Sequence, residues 1–174
     1  MGATELYRMG RKAYLEGDKV LARKCEYLNK LLHNCHIKST CHIGRGTRIA
    51  YGGIGVLIHA DSKVGRYCNI GTGVTLASAP TIGDYCYIAT GAKIIGAHVN
   101  IGSFSIIGAN AVVRRNVESF TVVGGIPARV LGYINPENLD KYLKGFLASV
   151  NKNDEGFLEK VREEFMAQYK NQNI

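Results

Sequence analysis

The chain has no tryptophan and only three prolines among its 174 residues. Glycine is plentiful at 21 residues, but without proline this composition excludes a collagen-type or proline-rich disordered chain and suits a fold that turns often. No apolar run is long enough to span a bilayer, so no membrane partner is expected. The opening MGATELYRMG lacks the apolar stretch of a signal peptide, and Leu6 stands where a myristoylation pattern needs Ser or Thr. The five cysteines form no CxxC pair, which fits a reduced, cytoplasmic protein. There is no phosphate loop and no GxGxxG between a strand and a helix. The net charge of +8 admits an anionic partner. Its basic residues are not interleaved with aromatics, so nucleic acid is not expected.

What the sequence does contain falls into three zones. Residues 1–34 read as helical: Asp18 is placed to cap a helix along which Val20, Leu21, Cys25, Leu28, Leu31 and Leu32 recur. Residues 132–174 read as helical again. Asn135-Pro136 marks one start, followed by Leu139, Tyr142, Leu143, Phe146, Leu147 and Val150. Asn153-Asp154 marks a second, followed by Phe157, Leu158, Val161, Phe165, Met166 and Tyr169. Such stripes are expected to pack on the parent domain or a neighbouring subunit.

Residues 35–131 carry an internal repeat. An aliphatic residue recurs every sixth position at Ile37, Ile43 and Ile49, and then from Ile58 through Val64, Ile70, Leu76 and Ile82 to Ile88. After a one-residue slip it resumes at Ile95, Ile101, Ile107 and Val113. Gly often follows directly, and a small residue such as Cys41, Ser62, Cys68, Cys86 or Ala92 comes four positions later. A period of six fits neither a helix nor an alternating strand. It fits a solenoid in which each hexapeptide is one short strand and one corner, with stacked aliphatic side chains inside. The cysteines at the small position are then packing groups rather than nucleophiles or metal ligands, and no metal site is expected.

The stretches YGGIGVLIHADSKVG, IGDYCYIATGAKIIG, IGANAVV and VVGGIPARV resemble the hexapeptide-repeat acyltransferases, and within them the serine acetyltransferase-like proteins and polysaccharide O-acetyltransferases. The resemblance implies a mainly β fold, a left-handed parallel β-helix with short N- and C-terminal helices. It also implies a homotrimer with active sites between subunits, acetyl-CoA as cosubstrate, and an acceptor hydroxyl on a small molecule. Two departures from serine acetyltransferases are visible. Tyr51 stands in a segment where they carry a catalytic His, and VTLASAPTIG runs straight through where a loop would carry a second. A sugar hydroxyl is therefore expected ahead of serine. An amino-sugar N-acetyltransferase and a binding β-helix without turnover are the alternatives.

Acyl transfer to a hydroxyl needs a general base, and His serves near neutral pH. His33 lies in the helical approach, and His36 and His42 lie in the first coil. His59 follows Ile58 just after a segment, Tyr51 to Leu57, that breaks the sixfold step and must bulge, making a natural pocket. His59 is the expected base, with Asp61 or Asp84 orienting its ring, Tyr51 lining the acceptor pocket, and His98 the second candidate base. The resemblance assigns the pantetheine groove to the later coils, where Ala89, Gly91, Gly108 and Ala109 match. Arg114, Arg115 and Arg129 lie beyond the last regular coils and suit the phosphates of coenzyme A.

Overall fold

The computed structural model describes residues 1–147, 150–151 and 156–172. Its centre is a left-handed parallel β-helix of about five turns. Three faces wind in sequence. The first carries β1 (His36–Ile37), β4 (Leu57–Ile58), β7 (Thr75–Leu76), β10 (Lys93–Ile94) and β13 (Val112–Val113). The second carries β2 (His42–Ile43), β5 (Lys63–Val64), β8 (Thr81–Ile82) and β11 (Asn100–Ile101). The third carries β3 (Arg48–Ile49), β6 (Asn69–Ile70), β9 (Tyr87–Ile88), β12 (Ile106–Ile107) and β14 (Thr121–Gly124). The chain leaves through β15 (Arg129–Tyr133), which turns back antiparallel onto β14.

Each two-residue strand is too short to be stable alone and is held by the coils on either side. The second residue of each pair points inward, so Ile58, Ile70, Leu76, Ile88, Ile94 and Ile107 form one dry column. Cys41, Ser62, Cys68, Cys86, Ala92 and Ala111 fill the narrower corners, also fully buried. The Gly after the aliphatic residue is required by crowding between coils. A Cβ on Gly83 would lie 2.6 Å from the Ser103 amide nitrogen on the next coil, and one on Gly65 would lie 2.6 Å from the Gly83 backbone.

Register shows where extra residues go. His36 pairs with Leu57 but Leu57 with Thr75, so the first coil is three residues longer. The surplus is taken up by the turn Ala50–Gly53, where Tyr51 and Gly52 have positive φ. This is the bulge expected from the sequence. The second irregularity lies elsewhere than the sequence placed it. Ile94, not Ile95, continues the interior column: Ile94 is fully buried and Ile95 is exposed. The extra residue sits in the Gly96–His98 turn before Asn100, where His98 takes a positive φ. Two adjacent isoleucines satisfy the period equally well, and only the ladder of β10 with β7 decides between them.

Helices α1 (Ala3–Leu15) and α2 (Lys19–His33) close the first coil. The Tyr7 hydroxyl donates to the Cys41 carbonyl at 2.9 Å and accepts from the Ile43 amide at 3.0 Å, tying α1 to the open edge. Asp18 caps α2 by accepting from the Leu21 amide at 2.9 Å, as expected. Of the α2 stripe expected to pack on the parent domain or a neighbouring subunit, Cys25 alone is buried within the chain. Ala22, Cys25 and Asn29 are buried, whereas Val20, Leu31 and Leu32 are each more than 55% exposed. Small residues win the inner face because α1 crosses closely there: a Cβ on Gly10 would lie 2.9 Å from Cys25 Cβ.

At the other end, α3 (Leu139–Tyr142) begins three residues later than the Asn135-Pro136 signal suggested. Asn135 and Asn138 each accept the other's amide at 3.0 Å, which holds a preceding turn. A π-type turn, Leu143–Leu147, continues α3, and α4 spans Phe157–Gln172. The expected start at Asn153-Asp154 lies outside the described residues. Both helices dock on the corner between the second and third faces. There Tyr67, Tyr85, Phe104 and Phe120 adopt positive φ, and their rings stack from coil to coil with centroids 4.8–5.7 Å apart. Phe165 of α4 meets Phe104 and Phe120 edge-on at 5.2 and 5.0 Å. These pairings offset the cost of the left-handed backbone in non-glycine residues.

If coil-to-coil crowding dictates these glycines, Gly83→Ala destabilises the fold by about 1–3 kcal/mol. Gly132→Ala, whose Cβ would meet nothing within 4 Å, is the near-neutral control. Urea unfolding checks this through the shift in midpoint at constant m.

Candidate active site

The expected site residues fall on three different corners of the prism. On the first corner, between the first and second faces, His59 follows β4, and its amide donates to the Leu76 carbonyl at 2.9 Å. The register of Ile58 with Leu76 puts Ala77 beside His59 on the next coil, then Ile95 and Arg114 in the same column. His59 is exposed, and the small Ala77 leaves space beside it. Asp61 shares this turn, which is closed by the Ser62 amide donating to the His59 carbonyl at 3.1 Å. Among the described residues no side chain hydrogen-bonds the His59 ring. His98 is on the same corner two coils on, its amide donating to the Ser78 carbonyl at 3.1 Å. The stretch from Ala77 to Pro80 makes a tight corner with Ser78 and Ala79 at positive φ, and no loop projects from it.

The third corner, between the third face and the first, carries Tyr51, Ala89, Gly91, Gly108 and Ala109. The Gly91 amide donates to the Thr72 carbonyl at 2.8 Å and the Asn110 amide to the Thr90 carbonyl at 3.0 Å, so these turns are stacked directly. Side chains here are small from Gly71 to Ala109, and a slender ligand can approach the main chain closely. Tyr51 stands at the start of this row, 77% exposed, beyond the bulge.

Arg114, Arg115 and Arg129 converge. All three line one cavity of about 560 Å³ at the last coil, between β13 and β15. Asp84 lies apart, on the second corner. Its carboxylate accepts from the Arg66 guanidinium at 2.8 and 3.0 Å and from the Arg66 amide at 2.7 Å, and Glu164 of α4 joins the same guanidinium at 3.2 Å. Asp84 and His59 are therefore not brought together within one chain.

A second cavity, about 550 Å³, opens between α2 and the first two coils and carries Lys19, Arg23 and Lys30. The sequence reading did not single these out. Their spacing of four and then seven positions places them on one helical face, which is the signal the sequence carries for them.

No protein-family model matches the chain. A serine acetyltransferase of Synechococcus elongatus is 35% identical over 133 residues, covering 72% of this chain and 54% of that protein. Serine acetyltransferase 4 of Arabidopsis thaliana is 27% identical over 143 residues, covering 78% of this chain and 40% of that protein. A serine acetyltransferase solved in complex with CoA superposes with a TM-score of 0.70 at 28% identity, over 74% of this chain and 55% of its own. The β-helix is a serine acetyltransferase-like hexapeptide-repeat domain. The chain spans about half the length of the curated relatives it matches.

The buried thiols bear on which groups can act as nucleophiles. Burial pushes Cys35 up to about 11 and Cys41 up to about 12 from an ordinary value of 9.0. Burial and the neighbouring Cys68 also hold Cys86 well above it. None of these thiols is a thiolate near neutral pH. In the unfolded chain they ionise near 9.0, while in the fold they stay protonated. Their contribution is thus fully present below pH 9 and is lost as pH rises towards 11–12. The urea midpoint is expected to fall between pH 9 and 11, and Cys41→Ala should flatten that slope.

Proposed function

We propose that the chain transfers an acetyl group from acetyl-CoA to a hydroxyl of a small acceptor, by direct transfer with His59 as general base. The observation that carries this reading is the likeness of the whole β-helix to serine acetyltransferases, one of them solved with CoA. His59 takes the proton as the acceptor oxygen attacks the thioester carbonyl. The new C–O bond forms, the C–S bond breaks, and the proton passes to the departing sulfur. The products are an acetyl ester and the free thiol of CoA. No acyl-enzyme is needed, which agrees with thiols that are buried and protonated. We assign Asp61 to orient His59, because Asp84 is held by Arg66 on another corner.

The small-residue corner of Ala89, Gly91, Gly108 and Ala109 suits pantetheine, and the cavity of Arg114, Arg115 and Arg129 suits the CoA phosphates. The small-residue row sits on the third corner, while His59 and His98 sit on the first corner, whose column ends at Arg114 on the last coil. One hexapeptide side separates the two corners, up to about 20 Å of extended chain. A homotrimer placing the first corner of one subunit against the third corner of the next would unite them, with Tyr51 and His98 lining the acceptor side. A second reading, a binding β-helix without turnover, is favoured by Tyr51 and by the loop-free turn at Ala77–Pro80.

Thiol release from acetyl-CoA with a panel of hydroxyl and amino acceptors separates the two readings. His59→Ala is expected to lower kcat by roughly a hundredfold or more with CoA affinity nearly unchanged. Full turnover in that variant would transfer the role to His98. Light scattering at micromolar concentration should give about three chain masses, and a single chain mass would remove the trimer.

A further inference from the structure

The cavity between α2 and the first coils has an electrostatic character that the acetyl-transfer chemistry does not use. Lys19, Arg23 and Lys30 line it, and among the described residues none of them has a carboxylate within ion-pair distance. The one acid in the lining, Glu26, is already committed. It accepts from Lys38 Nζ at 3.2 Å and from the Ser39 amide at 2.7 Å. Burial alone would raise its pKa, yet these two donors hold it below the ordinary value, so it stays charged and cancels Lys38. Three positive charges are left over in a groove of about 550 Å³. That volume suits a ligand of drug size and is far more than serine needs. Tyr27 presents a 61% exposed ring along the same wall.

The groove has a definite relation to the first corner. Its floor includes Thr40 and Ala60, the Thr40 hydroxyl donating to the Ala60 carbonyl at 3.0 Å, and Ala60 is the residue after His59. A ligand seated there lies alongside the corner that carries the proposed base.

We infer that this groove binds the acceptor, and that the acceptor is an anion bearing phosphate or diphosphate, a phosphorylated sugar or a nucleoside-diphosphate sugar. The inference rests on the acetyl-transfer reading for the word acceptor, but not for the binding itself. Lys19, Arg23 and Lys30 grip the phosphate oxygens by charge-assisted hydrogen bonds, and Tyr27 offers a ring face to a base or sugar. The sugar hydroxyl then extends over Ala60 towards His59.

The test is calorimetric titration with UDP-N-acetylglucosamine and with N-acetylglucosamine phosphate, each in saturating CoA so that the donor site is filled. At least one should bind, and which one distinguishes a nucleotide sugar from a simple sugar phosphate. Arg23→Ala with Lys30→Ala should weaken that binding by about tenfold or more, while CoA affinity stays unchanged. Lys30→Arg should largely retain it. If phosphate-dependent binding is lost in the double variant but no acceptor is ever acetylated, the groove stands and the acetyl-transfer reading fails. If wild type and double variant bind alike, or if only unphosphorylated N-acetylglucosamine or serine binds, the inference is overturned. Affinity confined to anionic lipid vesicles would overturn it in favour of a membrane surface.

Discussion

Every part of this protein rests on one coil lying in register on the next. The strands are two residues long, so each depends on main-chain hydrogen bonds to the coils above and below, such as His59 to Leu76 and Ala77 to Ile94. That ladder works only if the coils approach closely, which is why Gly65 and Gly83 face backbone rather than space. It also needs a continuous filling, supplied by the Ile and Leu column on one side and by Cys, Ser and Ala at the corners. Burial of that column is the main favourable term, and the polar main chain is satisfied at the same time.

A solenoid of this kind has two open ends and three corners, and the appended helices deal with them differently. Tyr7 of α1 satisfies main-chain groups of the first coil, and Ala3 joins the interior column. At the other end β15 pairs with β14. The C-terminal helices occupy a corner rather than an end: the Tyr142 hydroxyl donates to the Tyr85 carbonyl, and α4 covers the stacked aromatic ladder. The second corner is thus taken by α3 and α4, while α1 and α2 pack on the first corner at the first coil, through Ser39 and Thr40. The chain buries the second corner under its C-terminal helices, and the residues proposed for the site, His59 and the small-residue row, stand on the other two.

The two cavities carry charge of the same sign at opposite ends of the coil stack. Arginines gather at the last coil, and lysine and arginine from α2 gather at the first. His59 lies near the lower of the two. A donor with phosphates at one end and an anionic acceptor at the other would approach the first corner from opposite directions. Their reacting groups would meet without their charged groups being crowded together.

The six-residue aliphatic period, with Gly after it and a small residue four later, pointed to a solenoid of one short strand and one corner per hexapeptide, because neither a helix nor an alternating strand repeats with that step, and the family resemblance supplied the left-handed β-helix. The excess of three residues between Ile49 and Ile58 likewise fixed the bulge at Tyr51. The place of Arg114, Arg115 and Arg129 beyond the last regular coils was legible as well, whereas their lining one cavity followed from β15 folding back onto β14. Other features depended on contacts between residues far apart in the chain. Ile94 and Ile95 fit the period equally, and only pairing with Leu76 chose Ile94. The α2 stripe was expected against the parent domain or a neighbouring subunit, and the close crossing of α1 at Gly10, which admits only small side chains, turns Val20, Leu31 and Leu32 outward. Asp61 and Asp84 were equivalent partners for His59 until the winding put Asp84 on the second corner beside Arg66. Periodicity reports which residues point inward along one strand. Which corner faces which, and which charge finds a partner, depends on how the coils and helices stack in three dimensions.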